Sequence, residues 1–176
     1  MLPKTDSPRS HSPFWVAVGV AVAVMALDQL AKWLILHVVM APPRIIPVLP
    51  SLNLRLGFNT GVSFSLFCET LAQAVWLLIL FKIVAVALLA WWASRVLQWY
   101  EGVALGLIIG GALGNLADRM QHGGVVDFID LYYASWHWPT FNTADIAIVL
   151  GVGLMLVSGF LSPAQAKPHS SSQQHR

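Results

Sequence analysis

Four long apolar runs limit what this chain can fold into. The first extends from Phe14 to about Met40, broken only by Asp28, Gln29, Lys32 and His37. As a helix it reaches about 39 Å, enough to cross a bilayer with its interfaces. It is longer than a signal-peptide core, and no small-residue cleavage site follows it. The others cover about 71–93, about 103–116 with room to extend to Met120, and about 141–161. A chain that is 57% hydrophobic and 10% charged is not a soluble globular domain. The expectation is an all-α membrane protein with four transmembrane helices in one domain, 14–161, since no polar linker divides it. Residues 1–13 and 162–176 read as disordered cytoplasmic tails.

An even number of spans puts both termini on one side. Lys4, Arg9, Arg95, Lys167 and Arg176 would share that side, against Arg44, Arg55 and Arg119 opposite, a bias toward cytoplasmic termini. The long connections, 41–70 and 121–140, then face outward. Pro13, Pro42, Pro43 and Pro139 fall near predicted helix ends, where proline does least damage. The net charge of +2 is small and dispersed, so nucleic acid is not an expected partner. The single cysteine, Cys68, leaves no internal disulfide and no multi-cysteine metal site, and reads as a structural thiol.

Within the first outer connection, Leu52, Leu54 and Leu56 alternate with Asn53 and Arg55. Asn59-Thr60-Gly61 then punctuates, and Val62, Phe64 and Leu66 alternate with Ser63 and Ser65. Period-2 alternation around a turn predicts a small extracytoplasmic β-sheet between helices one and two. It would serve either as a platform under a peptide or as a cap over the helix ends; pattern alone does not separate the two. In the third run, Gly102, Gly106, Gly110 and Gly114 recur every four residues. In lipid such a ridge lets another backbone approach closely, which places helix three at the centre of the bundle. Alanine on this ridge should be tolerated better than leucine, because a methyl group would still permit close approach.

The charges inside an apolar chain need reasons. Asp28 and Lys32 lie four apart on one helix face and are expected to pair, supporting a site if they face the bundle. Lys82 lies midway along helix two with no acidic neighbour on its own helix, and its purpose stays open. Asp127 sits among apolar residues just past helix three, and Asp145 in the first turns of helix four on the same outer face. Asn142 followed three residues later by Asp145 resembles a capping arrangement. Asp130 reads as a solvated loop acid, and His122 and His137 as interfacial residues. On spacing alone, capping and solvation account for these acids more readily than catalysis does. The functional reading is an aspartate pair, in which one carboxylate activates water while the other keeps a proton and polarises a scissile carbonyl. Such chemistry needs no metal or cofactor, and no HExxH, GxSxG or P-loop pattern occurs.

These pieces together resemble the bacterial lipoprotein signal peptidases (signal peptidase II), over about residues 14–161. The matching motifs are Asp28-Gln29-Leu30-Ala31-Lys32, Asn59-Thr60-Gly61-Val62-Ser63-Phe64-Ser65, Gly114-Asn115-Leu116-Ala117-Asp118-Arg119, Val125-Val126-Asp127-Phe128 and Phe141-Asn142-Thr143-Ala144-Asp145. Each is weak alone; five in this order are specific. Val62-Ser63 departs from the small residues usual there. The resemblance implies a membrane aspartyl endopeptidase that removes the signal peptide from diacylglyceryl-modified prolipoproteins, cleaving just before the lipidated cysteine. It implies Asp127 and Asp145 as the catalytic pair. Asn59, Gly61, Asn115, Arg119, Asn142, Asp28 and Lys32 would bind substrate or brace the site. It further implies a monomer in contact with membrane lipid in the bacterial inner membrane, with the site at the periplasmic face. A proton-coupled carrier and a non-enzymatic membrane assembly factor are the alternatives from other classes. The acids cluster at one face rather than across the midplane, which disfavours the carrier. An assembly factor would leave the carboxylates without a role.

Overall fold

The computed structural model describes residues 13–60, 71–96 and 98–161; Gly61, the Val62–Leu66 arm of the expected hairpin, Cys68 and both tails lie outside them. Four α-helices account for most of the chain: α1 (Pro13–Leu34), continued by a π-helical turn (Ile35–Val39), α2 (Leu71–Ala93), α3 (Trp99–His122) and α4 (Thr143–Leu161). Two are long and apolar enough to cross a membrane, α1 with its π turn at 27 residues and α3 at 24. Shorter apolar stretches lie in α2 and α4, Ile79–Ala93 and Thr143–Gly159.

Helix α3 is longer than the hydropathy of 103–116 predicts. It starts from Gln98, whose backbone N–H donates to Glu101 Oε2 at 3.4 Å as half of a capping box. It ends at Gly123, whose φ of 74° takes the left-handed conformation of a helix C-cap while its N–H donates to Arg119 O at 3.1 Å. The last turns are polar, so the apolar signal stops before the helix does. Those turns carry Asn115, Asp118 and Arg119.

Helix α3 packs against all three other helices. Its glycine ridge faces α1: a Cβ added at Gly106 would lie 2.7 Å from Ala17 O, and one at Gly110 would lie 2.6 Å from Ala21 O. At Gly102 and Gly114 it would run into Pro13 O and the Asp28 carboxylate. The ridge therefore marks a close helix contact, as its spacing predicts. The expectation that a methyl group fits there is corrected, because the obstacle is carbonyl backbone that cannot rotate away. A second close contact joins α3 to α4, where a Cβ at Gly111 would meet Ala144 O at 2.5 Å and one at Gly151 would meet Ala104 O at 2.6 Å.

The sheet differs from expectation. It has four antiparallel strands in the order β1 (Ile46–Leu49), β2 (Leu52–Asn59), β3 (Val125–Tyr133) and β4 (Trp136–His137). It is thus built from both long connections, not only from the one between α1 and α2, and 121–140 is largely strand rather than loop. Strand β2 ends at Asn59, the first residue of the predicted turn, and pairs with β1 and β3. Strand β3 is buried at Val125–Phe128, so its two faces do not alternate in polarity; a strand covered on both sides gives no period-2 signal. Phe128 packs with Ile35 and Met40, joined by Ile46, Leu54 and Leu56, which seats the sheet on the end of α1.

Candidate active site

Four elements converge where the sheet meets the bundle. Helix α1 supplies Asp28, Gln29 and Lys32; α3 supplies Asn115, Asp118 and Arg119; β3 supplies Asp127; and the start of α4 supplies Asn142, Thr143 and Asp145. A strip of backbone pairing fixes the last two against each other. Phe141 O accepts from the N–H groups of Phe128 and Ile129 at 3.0 and 2.9 Å, and Phe141 N–H donates to Ile129 O at 3.1 Å. Asn142 is thereby held beside Asp127.

Lys32 forms the foundation. Its ammonium lies 2.8 Å from Asp28 Oδ2 and 2.7 Å from Asp118 Oδ2, and donates to Asn115 Oδ1 at 3.1 Å. With 3% of its side chain exposed, its ammonium has these acceptors in place of water. Asp28 in turn caps α4, accepting from Thr143 Oγ1 at 2.6 Å and from Ala144 N–H at 2.9 Å. Asp118 accepts from Gln29 Nε2 at 2.8 Å and from Val126 N–H at 3.1 Å, which ties α3 to the residue preceding Asp127. The Asp28–Lys32 pair expected from spacing is present, and a second carboxylate completes it. Gln29, Asp118 and Thr143, which were not among the predicted site residues, hold this layer together.

Above it, two carboxamides bridge the two outer acids. Asn115 Oδ1 accepts from Lys32, so its Nδ2 must point the other way, and it donates to Asp145 Oδ1 at 2.8 Å. Asn142 Nδ2 donates to Asp127 Oδ1 at 2.7 Å and to Asn115 Oδ1 at 3.1 Å. Asn142 also forms the capping arrangement expected from sequence. Its Oδ1 accepts from Asp145 N–H at 3.1 Å, and its own N–H donates to Asp145 Oδ2 at 3.3 Å. Capping and membership of the cluster are therefore not alternatives: the cap sets the Asp145 side chain beside Asn115.

Asp127 is buried, with 1% exposure. Burial pushes its carboxyl above the ordinary range; hydrogen bonds from Asn142 and Asn59 oppose that, the charge of Asp145 adds to it, and Lys32 offsets it in part. Arg119 donates from Nη1 to Asn115 O at 3.0 Å, while its buried Nε has no hydrogen-bond partner among the described residues. Lys82, on α2, is partly buried and within electrostatic reach of Arg119, Asp145 and Lys32. Of the predicted site residues, only Gly61 falls outside the described chain. Among the described residues no three His, Cys, Asp or Glu side chains gather to hold a metal ion.

Asp130 does not belong to this cluster, and it is not the solvated loop acid expected. It is buried on β3 and accepts from His137 Nδ1 at 2.8 Å and Asn53 Nδ2 at 3.3 Å. His137, expected only to sit at the interface, is its partner across the β3–β4 turn.

The signal peptidase (SPase) II family model matches residues 20–161. A lipoprotein signal peptidase of Serratia proteamaculans (strain 568) is 41% identical over 155 residues, covering 86% of this chain and 90% of that protein. One from Klebsiella pneumoniae (strain 342) is 42% identical over 150 residues, covering 84% and 90%. Among solved structures, a bacterial membrane enzyme determined by the in meso method at 1.9 Å resolution superposes with a TM-score of 0.70 at 28% identity, covering 85% of this chain and 95% of that one. The chain belongs to the signal peptidase II family of membrane aspartic peptidases.

Proposed function

We propose that the protein removes the signal peptide from diacylglyceryl-modified prolipoproteins, hydrolysing the bond just before the lipidated cysteine, with Asp127 and Asp145 as the catalytic pair. The observation that carries this reading is the double amide bridge: Asn142 holds Asp127 and Asn115 holds Asp145, each at hydrogen-bond distance, inside a largely buried cluster. Two carboxylates so placed share a proton more readily than they both ionise. The upward push on Asp127 makes it the better suited of the two to act as the acid. Asp145 takes a proton from water as the water oxygen attacks the scissile carbonyl carbon, and Asp127 protonates the carbonyl oxygen. When the tetrahedral gem-diol collapses, the C–N bond breaks, the proton held by Asp145 passes to the leaving amine, and one gem-diol hydroxyl returns its proton to Asp127 as it becomes the new carbonyl. The Nε of Arg119, without a hydrogen-bond partner among the described residues, is a donor suited to a substrate carbonyl.

The reading places four helices across the inner membrane, both termini in the cytoplasm, and the sheet with the site at the periplasmic face. The chain acts as a monomer surrounded by lipid. A signal-peptide helix in the bilayer then delivers its outer end to the level of Asp127 and Asp145. The test is cleavage of a purified lipidated precursor in detergent, followed by sequencing of the product's first residue. A lipidated cysteine at that position is expected, and activity should survive strong chelators. Equal cleavage of an unlipidated precursor would sink the substrate assignment. Reporter fusions after Leu97 and Ala166 should read cytoplasmic, and one near Pro50 periplasmic.

A further inference from the structure

Helices α1 and α2 barely touch, and between them lies a cavity of about 220 Å³ floored by α3. Val18, Val22 and Met25 line it from α1, Ala90 and Ala93 from α2, and Ile109 from α3, with no polar side chain. It begins at Phe14, at the end of the bundle away from the Asp127 cluster, and runs to Met25 and Leu113, just short of Asp28 and Gly114. The wholly apolar lining suits a hydrocarbon chain.

What lies at its mouth adds the second argument. Arg95 follows the lining residue Ala93 by two positions, is exposed, and holds its guanidinium 4.9 Å from the centre of the Trp91 ring. Trp15 and Trp99, 66% exposed each, stand at the same end of the bundle. Tryptophans with a basic residue are the side chains that settle at the headgroup level of a bilayer. The one carboxylate there among the described residues, Glu101, is engaged in capping α3. Arg95 is thus the basic side chain available to a headgroup at this end among the described residues, while the groove's interior is apolar.

We infer that the α1–α2 groove is a binding site for an anionic phospholipid of the leaflet remote from the catalytic cluster, one acyl chain lying along Val18, Val22 and Ala90 and the phosphate meeting Arg95. The inference rests on the four-span membrane reading and not on the catalytic assignment. In the experiment, the whole protein is exchanged into detergent with equal amounts of phosphatidylglycerol and phosphatidylcholine, and retained lipid is counted by native mass spectrometry. One phosphatidylglycerol per protein is expected, preferred by about fivefold, the worth of one basic residue near a membrane surface. Arg95→Gln should bring that preference close to one without emptying the groove. Val22→Trp fills the groove from a side chain already 64% exposed, and should abolish retention of both lipids. Cleavage of the lipidated precursor should continue at the parental rate in both variants, which separates loss of lipid from loss of fold. Unchanged retention by Val22→Trp, or unchanged preference in Arg95→Gln, overturns the proposal. So does extra lipid uptake on removal of residues 1–12, which would make that segment the occupant. A dimer that Val22→Trp dissociates would make the occupant a second copy and overturn it equally.

Discussion

Asp127 and Asp130 stand three residues apart on β3, both 1% exposed, and burial has opposite outcomes for them. At Asp130 burial pushes the carboxyl up, but hydrogen bonds from His137 and Asn53, with the charges of His137 and Arg55, bring it below the ordinary range. At Asp127 burial wins over the donors Asn142 and Asn59, and the neighbouring Asp145 pushes the same way. One half of the strand faces a histidine on its own hairpin with Arg55 in electrostatic reach; the other faces amides and a second acid, with Lys32 only partly offsetting. A buried acid with its own counter-charge holds structure together, whereas one given only neutral donors keeps a proton it can deliver.

The largest effect should separate these two halves. Asp127→Asn and Asp145→Asn are each expected to lose roughly 10²–10⁴-fold in cleavage rate, the usual worth of a positioned acid or base. Asp130→Asn should retain activity within a few-fold. A loss at Asp130 as deep as at Asp127 would erase the distinction. The pH profile sharpens it: in the proposed mechanism Asp127 acts as the acid, so the rate is expected to fall as pH rises through its raised value. Stability moves the same way. A raised carboxyl contributes stability that is fully present below the unfolded value and lost as pH rises through the folded one. Asp127→Asn should therefore melt no lower than the parent at neutral pH.

Next in size is Lys32→Met. It strands Asp28 and Asp118 in the buried layer, and breaking such a pair costs about 3–5 kcal/mol. Because Asp118 holds Val126 N–H, hydrogen exchange should speed up at Val126 while Leu131, on the other half of β3, keeps its protection. Uniform loss along the strand would mean that the two halves are one unit.

The glycine ridge gives a smaller, graded effect. Gly110→Leu forces α1 from α3 and should cost about 1–3 kcal/mol in detergent stability. Gly110→Ala should cost measurably too, since its Cβ would already meet Ala21 O. Activity should fall with the Asp127 half of the strand, because Asn115 continues the same helix. Parental melting of Gly110→Ala would show that α1 yields easily.

Sequence made some of this legible for reasons the structure explains. Spacing alone exposes the ridge, the Asp28–Lys32 pair and the Asn142–Asp145 cap, because all three are periodic or local. The resemblance supplied the aspartate pair; composition could not, since its bridging amides come from residues 27 apart in sequence. Gln29 with Asp118 and Thr143 with Asp28 are separated by 89 and 115 residues, and nothing local marks them. Strand β3 was hidden because burial on both faces removes alternation. With it was hidden the burial of Asp130, whose partner becomes visible only when Tyr132 and His137 are known to pair.

The smallest effect belongs to the structural half of β3. Asp130 carries a lowered carboxyl, so its contribution to stability is present above the ordinary carboxylate value and lost as pH falls through the folded one. Hydrogen bonds to a charged group are worth about 1.5–3 kcal/mol, but the His137 side chain is 42% exposed, and solvent screens that part of the pair. Asp130→Asn is therefore expected to cost about 1 kcal/mol at neutral pH. Its melting temperature should converge with that of the parent as the medium is acidified, because the parent loses what the variant never had. His137→Gln keeps a donor and gives up the charge, so it should fall between the two. Tyr132 stacks on His137 with ring centroids 5.5 Å apart, and the same melts should report loosening of that hairpin before any change in cleavage rate. A gap between Asp130→Asn and the parent that widens in acid would reverse the sign of the Asp130 shift, and the contrast with Asp127 would go with it.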